Sequence, residues 1–497
     1  MGLRLTEESN PLPVLLVVLD GLADRPYLEL GGHTPLEAAS TPNMDQLAGQ
    51  GQSGFCYPLG PGRIPSTELV HFRFFGYEGH PFPGRACLEA LGADVPCEAG
   101  DVFVFLALRR VSQGPGGNYR VIGGGYGEAF DDAPESYAKL DGWEDAPSGY
   151  RFEVFPLERG EAILRIRRCK AKVPPCGEIT DSDPFFFTGL PVLTPQPLRE
   201  ASRPAAAELT AQALDRFLSA AADTMALGGH CSASNRAGTG WDGFRRLVVS
   251  KWSGTYEPLI PFKDLTGLAG AVVASGRMIR GLSRAAGLCF VHAGLPGDPS
   301  DTGLDDPARD LREKLETALG LLRSGEAGFA HVHAKAADEA SHAGEVSLKV
   351  EVIEELDRAL APLVEVSLEH LVLCVTADHC TPVGGPTVHW GDSVPILVRG
   401  PHVRVDAVGS FGERAATGGT LGQIGPGDLL PYLLCQAEAA HFLGAKPKPF
   451  TPLGIPFSGE PWTYRGAGFR LSEAEERSVP QRGERRGADQ KVEGDKE

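Results

Sequence analysis

Three aspartates from distant parts of the chain each follow a short apolar run that has the pattern of a buried strand. In open α/β sheets, ligands bind outside the carboxyl ends of the strands, so carboxylates carried there converge on one site. A single aspartate at such a position is also common as a helix N-cap or turn residue, and that interpretation stays open for each one alone. The three are Asp20 after Val14–Leu19, Asp338 after Phe329–His333, and Asp378 after Leu371–Thr376.

Histidines near two of these aspartates extend the set of candidate metal ligands. Asp338 and His342 are four positions apart and share one face if the segment is helical. Asp378 and His379 are adjacent, and His389 follows shortly afterwards. Carboxylates and imidazoles together suit Mn²⁺, Zn²⁺ or Mg²⁺. A lone histidine is usually a hydrogen-bonded packing residue, but this combination predicts a divalent-metal site.

A candidate nucleophile lies in the segment Pro65-Ser66-Thr67-Glu68, where two hydroxyls precede an apolar stretch. A hydroxyl is a weak nucleophile on its own and is activated when a metal binds its oxygen. The same order of residues is also typical of a plain helix N-terminus. The pattern alone leaves both interpretations open.

The segments that must position these side chains alternate between strand-like and helix-like patterns. A fourth apolar run, Pro395–Val398, joins the three named above, and such runs fit strands buried on both faces of a parallel sheet. This alternation predicts an α/β fold with a mostly parallel sheet between helices. The clearest helical spacing places five apolar residues on one face, namely Leu348, Val352, Leu356, Ala359 and Leu363.

The middle of the chain differs, because glycine and proline turns separate strand-like Val102–Leu108 and Ala162–Ile166 from a helix-like Ala205–Ala221. The acidic and histidine motifs fall before and after this region, and neither group alone makes a site. We therefore predict an inserted α+β cap domain. The charged C-terminal segment lacks aromatic residues and cannot bury enough apolar surface to fold. The predicted parts are a discontinuous core at 1–97 and 262–465, a cap at 98–261 and a disordered tail at 471–497.

The charge and composition exclude several classes of protein. With Lys+Arg 47 against Asp+Glu 65, the formal net charge is -18, which disfavours binding to nucleic acid or to an anionic membrane surface. The apolar runs are too short to span a membrane, and no secretory signal is recognisable. The ten cysteines contain no C-x-x-C pair, which favours a reduced, cytoplasmic protein.

Together these residues resemble the archaeal-type cofactor-independent (2,3-bisphosphoglycerate-independent) phosphoglycerate mutases, which are metalloenzymes of the alkaline phosphatase superfamily. The resemblance extends to about Gly444, and its strength lies in the combination of motifs, since any one of them alone is weak. The motifs lie at Leu19–Pro26, Thr34–Ala48, Pro61–Ala93, Ile179–Pro184, Lys335–Gly344, Thr376–Val383, His389–Pro401 and Gly418–Leu434.

The resemblance implies a phosphatase-like core that binds two divalent metal ions, with Mn²⁺ foremost and Mg²⁺, Zn²⁺ or Co²⁺ as alternatives. The family's nucleophile motif falls on Thr67, and Ser66 is the alternative if the loop register differs. Substrate-binding roles are implied for Lys335, Lys251 and Arg85. One metal would take Asp338, His342 and His389, and the other would take Asp20, Asp378, His379 and the Thr67 oxygen.

The activity that the resemblance implies is interconversion of 2- and 3-phosphoglycerate through a phosphorylated hydroxyl, so the implied partner is a small phosphorylated substrate. Several residues depart from the family pattern. Glu68 replaces an aspartate, and Lys251 occupies the position of an arginine whose planar fork a lysine cannot reproduce. A metal-dependent phosphatase with altered specificity is therefore the alternative hypothesis. A catalytically idle binding protein is a third.

Overall fold

The structure is a computed structural model of the chain. It describes residues 11–123, 130, 133–184, 187–227, 244–294, 303–366, 370–385 and 387–439. The chain divides into one compact unit at Met1–Pro456 and a second at Phe457–Glu497, and every element below belongs to the first. The predicted tail at 471–497 lies outside the described residues.

The described strands form two sheets, an eight-stranded sheet and a six-stranded sheet. In chain order they are Val14–Leu19 (β1), Gln52–Cys56 (β2), Val102–Gln113 (β3), Tyr119–Gly123 (β4), Trp143–Asp145 (β5), Tyr150–Pro156 (β6), Glu161–Arg168 (β7), Phe244–Thr255 (β8), Gly270–Ala274 (β9), Cys289–His292 (β10), Phe329–Ala334 (β11), Val372–Thr376 (β12), Val394–Arg399 (β13) and Gly422–Ile424 (β14).

Helices connect and cover these strands. Within the described residues, no helix is both long enough and apolar enough to cross a membrane. In chain order the helices are Pro35–Ala38 (α1), Pro42–Gly49 (α2), Thr67–Phe74 (α3), Arg85–Gly92 (α4), Ala133–Ala138 (α5), Pro204–Leu227 (α6), Phe262–Thr266 (α7), Arg277–Ala285 (α8), Pro307–Ser324 (α9), Ala336–Ala343 (α10), Val346–Glu365 (α11), Glu413–Ala416 (α12) and Pro426–Gln436 (α13).

The eight-stranded sheet has the order β10-β9-β11-β1-β12-β13-β2-β14, and its first five strands are parallel to one another. β1 is buried at every position. It reads as a continuous apolar run because it has a parallel partner at each edge and is covered on both faces. The predicted helical face on α11 is buried from Val352 to Leu363. The α/β fold with a mostly parallel sheet between helices is confirmed.

β13 departs from the expectation of a parallel strand, since it runs antiparallel to both β12 and β2. A parallel neighbour needs a crossover connection, usually a helix. The described residues of the segment 377–393, which joins β12 to β13, contain no helix. The chain therefore turns back directly, and the segment 377–393 lies as a loop at the edge of the sheet where β12 ends.

The six-stranded sheet is antiparallel, and its long strand β3 is buried on both faces. Alternate residues of a strand point to opposite faces. Val102, Val104 and Leu106 pack in a cluster with α6. Phe103 and Phe105 pack in another cluster with the small residues of α4. This second cluster therefore packs the antiparallel sheet against a helix that lies outside the predicted cap sequence.

Two glycines allow the backbone of β8 to approach closely the backbone of the segment that precedes α4. A side-chain carbon at Gly254 on β8 would lie 1.7 Å from the carbonyl oxygen of Pro83, just before α4. Gly84, with a left-handed φ of 87°, would in the same way meet the Ser253 carbonyl oxygen at 2.7 Å. The boundaries of the inserted cap stay a prediction, although the antiparallel sheet comes from one continuous stretch of chain between α4 and α7.

Glu413 supplies a pH-dependent test of the packing between loops. Its carboxylate accepts hydrogen bonds from the Asp24 backbone N–H at 3.1 Å and from the Thr34 hydroxyl at 2.8 Å. Burial raises its pKa from 4.5 to about 7. An acid whose pKa is raised on folding costs stability as the pH increases from its unfolded value through its folded value.

We expect Glu413→Gln to raise the free energy of unfolding by about 3 kcal/mol at pH 8 and by under about 1 kcal/mol at pH 5, where the folded glutamate is already protonated. Urea unfolding at both pH values measures this difference. An equal gain at both pH values would contradict the proposed titration of Glu413.

Candidate active site

Asp20 and the Asp378-His379 pair lie side by side because β1 and β12 are adjacent parallel strands. Each residue follows the carboxyl end of its strand. His379 Nε2 lies 3.1 Å from Asp20 Oδ1 and 3.2 Å from Asp378 Oδ2. All three side chains are fully buried. The structure thus brings these three predicted ligands together.

Asp338 and His342 lie on α10, directly after β11, which pairs with β1 on its other edge. Their spacing of four residues puts them on one face of the helix, and His342 Nε2 lies 3.4 Å from Asp338 Oδ2. The other oxygen, Asp338 Oδ1, lies 3.9 Å from His389 Nε2. The second predicted set of ligands is therefore also assembled, at the neighbouring strand end.

His389 reaches the site because the segment between β12 and β13 folds back on itself. The Trp390 backbone N–H donates to the Cys380 carbonyl at 2.9 Å, which places the two ends of this loop together. The His389 ring stacks on the His379 ring with centroids 3.8 Å apart. His389 Nδ1–H donates to the Pro65 carbonyl at 2.7 Å. This bond leaves Nε2 as the ring atom available to a ligand.

Thr67 is the first residue of α3, and its Oγ1 lies 3.0 Å from His379 Nε2. Ser66 occupies the N-cap position but makes no capping hydrogen bond, and its buried Oγ has no hydrogen-bond partner among the described residues. The segment is therefore a helix start, as one interpretation of the sequence held. It also directs the Thr67 hydroxyl towards the candidate metal ligands.

Two further buried histidines contact this set and were not predicted. His333 Nε2 lies 3.1 Å from Asp20 Oδ2. His71 Nδ1–H donates to the Thr67 carbonyl at 2.8 Å, and its ring centroid lies 5.0 Å from that of His333. Weak signals for both exist in the sequence. His71 is one helical turn after Thr67, and His331 and His333 share one face of β11.

The carboxylates of the site strongly influence one another. Burial opposes ionisation of Asp20, but the hydrogen bond with His333 and the adjacent His379 ring hold its pKa well below the usual value. Burial and the adjacent Asp20 carboxylate raise the pKa of Asp378. The pKa of His379 rises to about 9 despite burial, because Asp378 and Asp20 flank it. Burial and the His379 ring lower the pKa of His389 to about 4. This crowding of acids favours positive charge at the site.

The donor atoms fit the predicted divalent metals. Asp20 Oδ1, Asp378 Oδ2 and His71 Nε2 are buried yet make no hydrogen bond, which is unusual for buried polar atoms. Carboxylate oxygens and imidazole nitrogens are suitable ligands for Mn²⁺, Zn²⁺ or Mg²⁺. Among the described residues, three triads have ligand atoms within 4.8 Å of one another: Asp20 with Asp378 and His379, Asp338 with His379 and His389, and His71 with His333 and Asp378.

Two of the three predicted substrate-binding cations lie close to these ligands or to the nucleophile, and both are paired with acids. Lys335 Nζ lies 3.8 Å from Asp338 Oδ2 and also donates to Glu339. Arg85 is the first residue of α4, and its Nη1 lies 3.4 Å from Oε2 of Glu68, the residue after Thr67. Acids therefore hold both of these predicted substrate contacts in position.

Lys251 lies on the antiparallel sheet, where its Nζ is 3.0 Å from Glu161 Oε1 and 3.9 Å from the Phe105 ring centroid. Lys251 and Trp252 both have left-handed φ values, 58° and 56°, which are uncommon for residues other than glycine. Contacts of 3.4 Å or less form an alternating chain of charges through Glu68, Arg85, Glu89, Arg277, Glu161 and Lys251. This chain links the helix that carries Thr67 to the antiparallel sheet.

Comparison with curated sequences gives consistent relatives. A family model described as the metalloenzyme superfamily matches residues 12–435. The 2,3-bisphosphoglycerate-independent phosphoglycerate mutase of Methanopyrus kandleri is 34% identical over 87% of this chain and 98% of its own length. The protein named 2,3-bisphosphoglycerate-independent phosphoglycerate mutase 2 of Methanocaldococcus jannaschii is 31% identical over 87% of this chain and 95% of its own length.

Solved structures agree with these relatives. A protein from Pyrococcus horikoshii superposes with a TM-score of 0.67 at 26% identity, covering 88% of this chain and 100% of that one. The cofactor-independent phosphoglycerate mutase from Thermoplasma acidophilum has a TM-score of 0.55 at 26% identity, covering 86% of this chain and 99% of that one. The resemblance inferred from the motifs is confirmed. The chain belongs to the 2,3-bisphosphoglycerate-independent phosphoglycerate mutase family within the metalloenzyme superfamily.

Proposed function

We propose that this protein interconverts 2-phosphoglycerate and 3-phosphoglycerate through a phosphorylated Thr67, at a site for two divalent ions. The observation that carries the proposal is the Thr67 hydroxyl 3.0 Å from His379 Nε2, beside carboxylates from three strand ends. Relatives that share most of the chain are named phosphoglycerate mutases, which supports this choice of substrate.

Two cations would share the donor atoms that converge on this edge of the sheet. Bound divalent ions neutralise charge on a transferring phosphoryl group and lower the pKa of a hydroxyl that they contact. We assign Asp20, Asp378, His379 and Thr67 to one ion, and Asp338, His342 and His389 to the other. Support for these sets comes from the distances and the unpartnered buried oxygens described above.

Thr67 would act as the nucleophile from the first turn of α3. Its backbone is held by the His71 Nδ1–H hydrogen bond, so the hydroxyl is presented in a defined direction. Attack by Oγ1 on phosphorus would form a threonine O–P bond as the substrate O–P bond breaks, with net transfer of the Thr67 hydroxyl proton to the released glycerate oxygen. Attack by the other glycerate hydroxyl would then form the new substrate O–P bond, break the threonine O–P bond and return a proton to Thr67.

We propose further that the antiparallel sheet acts as a cap that keeps water away while the glycerate is reoriented. Exclusion of water is what separates transfer back to glycerate from hydrolysis. Support comes from α4, which packs against this sheet and whose Arg85 contacts Glu68 beside Thr67. The charge chain from Glu68 to Lys251 joins the same parts. The predicted boundaries of the cap are part of this proposal.

A phosphatase with altered specificity is the second candidate. It is favoured by Glu68 and Lys251, which differ from the family pattern. The Lys251 ammonium is also paired with Glu161 at 3.0 Å. It therefore has fewer hydrogen-bond donors left for a substrate carboxylate or phosphate than the planar fork of an arginine would have. In this case the same Thr67 chemistry would end with water as the acceptor.

Purified protein, stripped of metal and reloaded with Mn²⁺, should convert 2-phosphoglycerate to 3-phosphoglycerate faster than it releases inorganic phosphate. ³¹P NMR follows both products in one sample, and the Thr67→Val protein is the matched control. Faster phosphate release than isomerisation would favour the phosphatase. Absence of both reactions with Mn²⁺, Mg²⁺, Zn²⁺ and Co²⁺ would reject both candidates and support an idle binding protein.

A further inference from the structure

Thr381 lies between the two sets of candidate ligands and belongs to neither. Its side chain is fully buried. The Thr381 hydroxyl donates to Asp338 Oδ1 at 2.8 Å, and His379 Nδ1 lies 3.0 Å from Thr381 Oγ1. A carboxylate can only accept, so the single hydroxyl proton goes to Asp338 and the His379 Nδ1–H donates to Thr381.

The direction of these two bonds determines which atoms remain for cations. His379 directs Nε2 towards Asp20, Asp378 and Thr67, because its Nδ1 is occupied by Thr381. Asp338 keeps Oδ2 on the side of His342, because Oδ1 accepts from Thr381. One hydroxyl therefore orients a ligand of each set at the same time.

The backbone of Thr381 is held firmly by the loop after β1. Its N–H donates to the Ala23 carbonyl at 3.0 Å. Its carbonyl accepts from Lys349 Nζ at 2.8 Å, and this fully buried ammonium also bonds Asp24 Oδ2 at 2.9 Å. Buried groups with satisfied partners of this kind have little freedom to move. The hydroxyl of Thr381 is therefore fixed relative to both loops.

Gly21 provides the space in which the hydroxyl sits. A side-chain carbon at this position would lie 2.6 Å from Thr381 Oγ1 and 2.8 Å from the Asp338 Cα. Gly21 directly follows Asp20, and its N–H donates to Asp378 Oδ1 at 3.2 Å. The absence of a side chain at Gly21, in the loop after Asp20, thus leaves room for Thr381 to pack against Asp338.

We propose that Thr381 is a positioning residue that couples the two metal half-sites, an inference that rests on the proposed two-metal function. Groups that hydrogen bond to metal ligands fix their orientation, and their loss typically costs about 10–100-fold in metal affinity. A residue that orients Asp338 alone would affect one ion. Because Thr381 also orients His379, its loss should weaken the binding of both ions.

The test is calorimetric titration of metal-free protein with Mn²⁺, without substrate. We expect Thr381→Val to weaken both binding steps by about 10–100-fold and Thr381→Ser to restore them, since serine keeps the hydroxyl. Thr266→Val is the matched control. Thr266 is also buried and also both donates and accepts hydrogen bonds, but it lies on α7 beside Phe262 and Leu268. Its valine variant should bind both ions with unchanged affinity.

The outcomes separate this inference from the function on which it rests. If the wild-type protein fails to bind two ions, the proposed function itself is wrong. If it binds two ions and Thr381→Val binds both with affinities within about twofold of wild type, the coupling role is wrong. Should the valine variant not fold, Thr381→Ser and Thr381→Ala replace it, because they differ only by the hydroxyl. Equal affinities in that pair would overturn the proposal.

Discussion

Replacement of Thr67 by valine should reduce turnover of 2-phosphoglycerate by at least about 10⁴-fold and should abolish any phosphoprotein formed with substrate. Valine retains the branched shape of threonine, so the start of α3 should persist. The change removes the hydroxyl that lies 3.0 Å from His379 Nε2. Rapid quenching followed by mass spectrometry of the 65–68 segment measures the phosphoprotein directly.

Two variants serve as controls for this experiment. Ser66→Ala removes the neighbouring hydroxyl, which has no hydrogen-bond partner among the described residues, and should leave turnover within a few-fold of wild type. Thr67→Ser retains the nucleophilic oxygen and should retain substantial activity. Loss of the phosphoprotein in Ser66→Ala, with its retention in Thr67→Val, would show that the loop register assigned to the nucleophile is wrong.

Conversion of Asp338 or Asp378 to asparagine should each lower the number of tightly bound divalent ions from about two to about one, and should reduce turnover by at least about 10³-fold. The amide preserves the size of the side chain but removes the charge that a cation requires. Because the two aspartates lie on different strand ends, each substitution should affect a different ion. Metal analysis after gel filtration, together with steady-state kinetics, provides the measurement.

Asp357→Asn is the matched control for the metal variants. Asp357 is also buried, but it lies on α11 and accepts hydrogen bonds from the backbones of Asn43 and Met44. Its asparagine variant should lose stability while keeping both ions. Two bound ions in both Asp338→Asn and Asp378→Asn would contradict the assignment of these carboxylates as ligands.

The core strands were predictable because burial on both faces leaves an unbroken apolar run. β1 and β12 lie where the runs at Val14–Leu19 and Leu371–Thr376 predict them, within one residue. The direction of β13 was not predictable in the same way, since an apolar run reads alike in either direction. Its antiparallel direction follows from the connection to β12, whose described residues contain no crossover helix.

The candidate ligands other than Thr67 and His389 could be listed from the sequence because each follows a strand or shares a helical face with another. His71 and His333 carry only weak signals in the sequence and Thr381 carries none, since His333 and Thr381 contact residues far away in the chain. His333 contacts Asp20 across the pairing of β1 with β11, and Thr381 contacts Asp338 through the loops that follow the strands. Spacing along the chain carries no information about contacts of this kind.

The positions of two charged residues were predictable from the sequence, but their partners were not. The sequence suggested Lys251 and Arg85 as substrate contacts because of their motif positions. In the folded protein Lys251 is paired with Glu161 and Arg85 with Glu68 and Glu89. The partner of a long flexible cation depends on which acids the packing of α4 and the antiparallel sheet brings within reach.

By itself, the sequence determined the kind of chemistry, since carboxylates and imidazoles recur after the strands and a candidate hydroxyl lies in the segment Pro65–Glu68, in a chain without cysteine ligand spacing. It also determined the α/β fold, because periodicity and burial are local properties of the chain. Only the tertiary structure decided that the hydroxyl of Thr67 faces His379, and that Thr381 contacts both His379 and Asp338. These are distances between atoms on separate strands and helices, and they exist only once packing has brought those elements together.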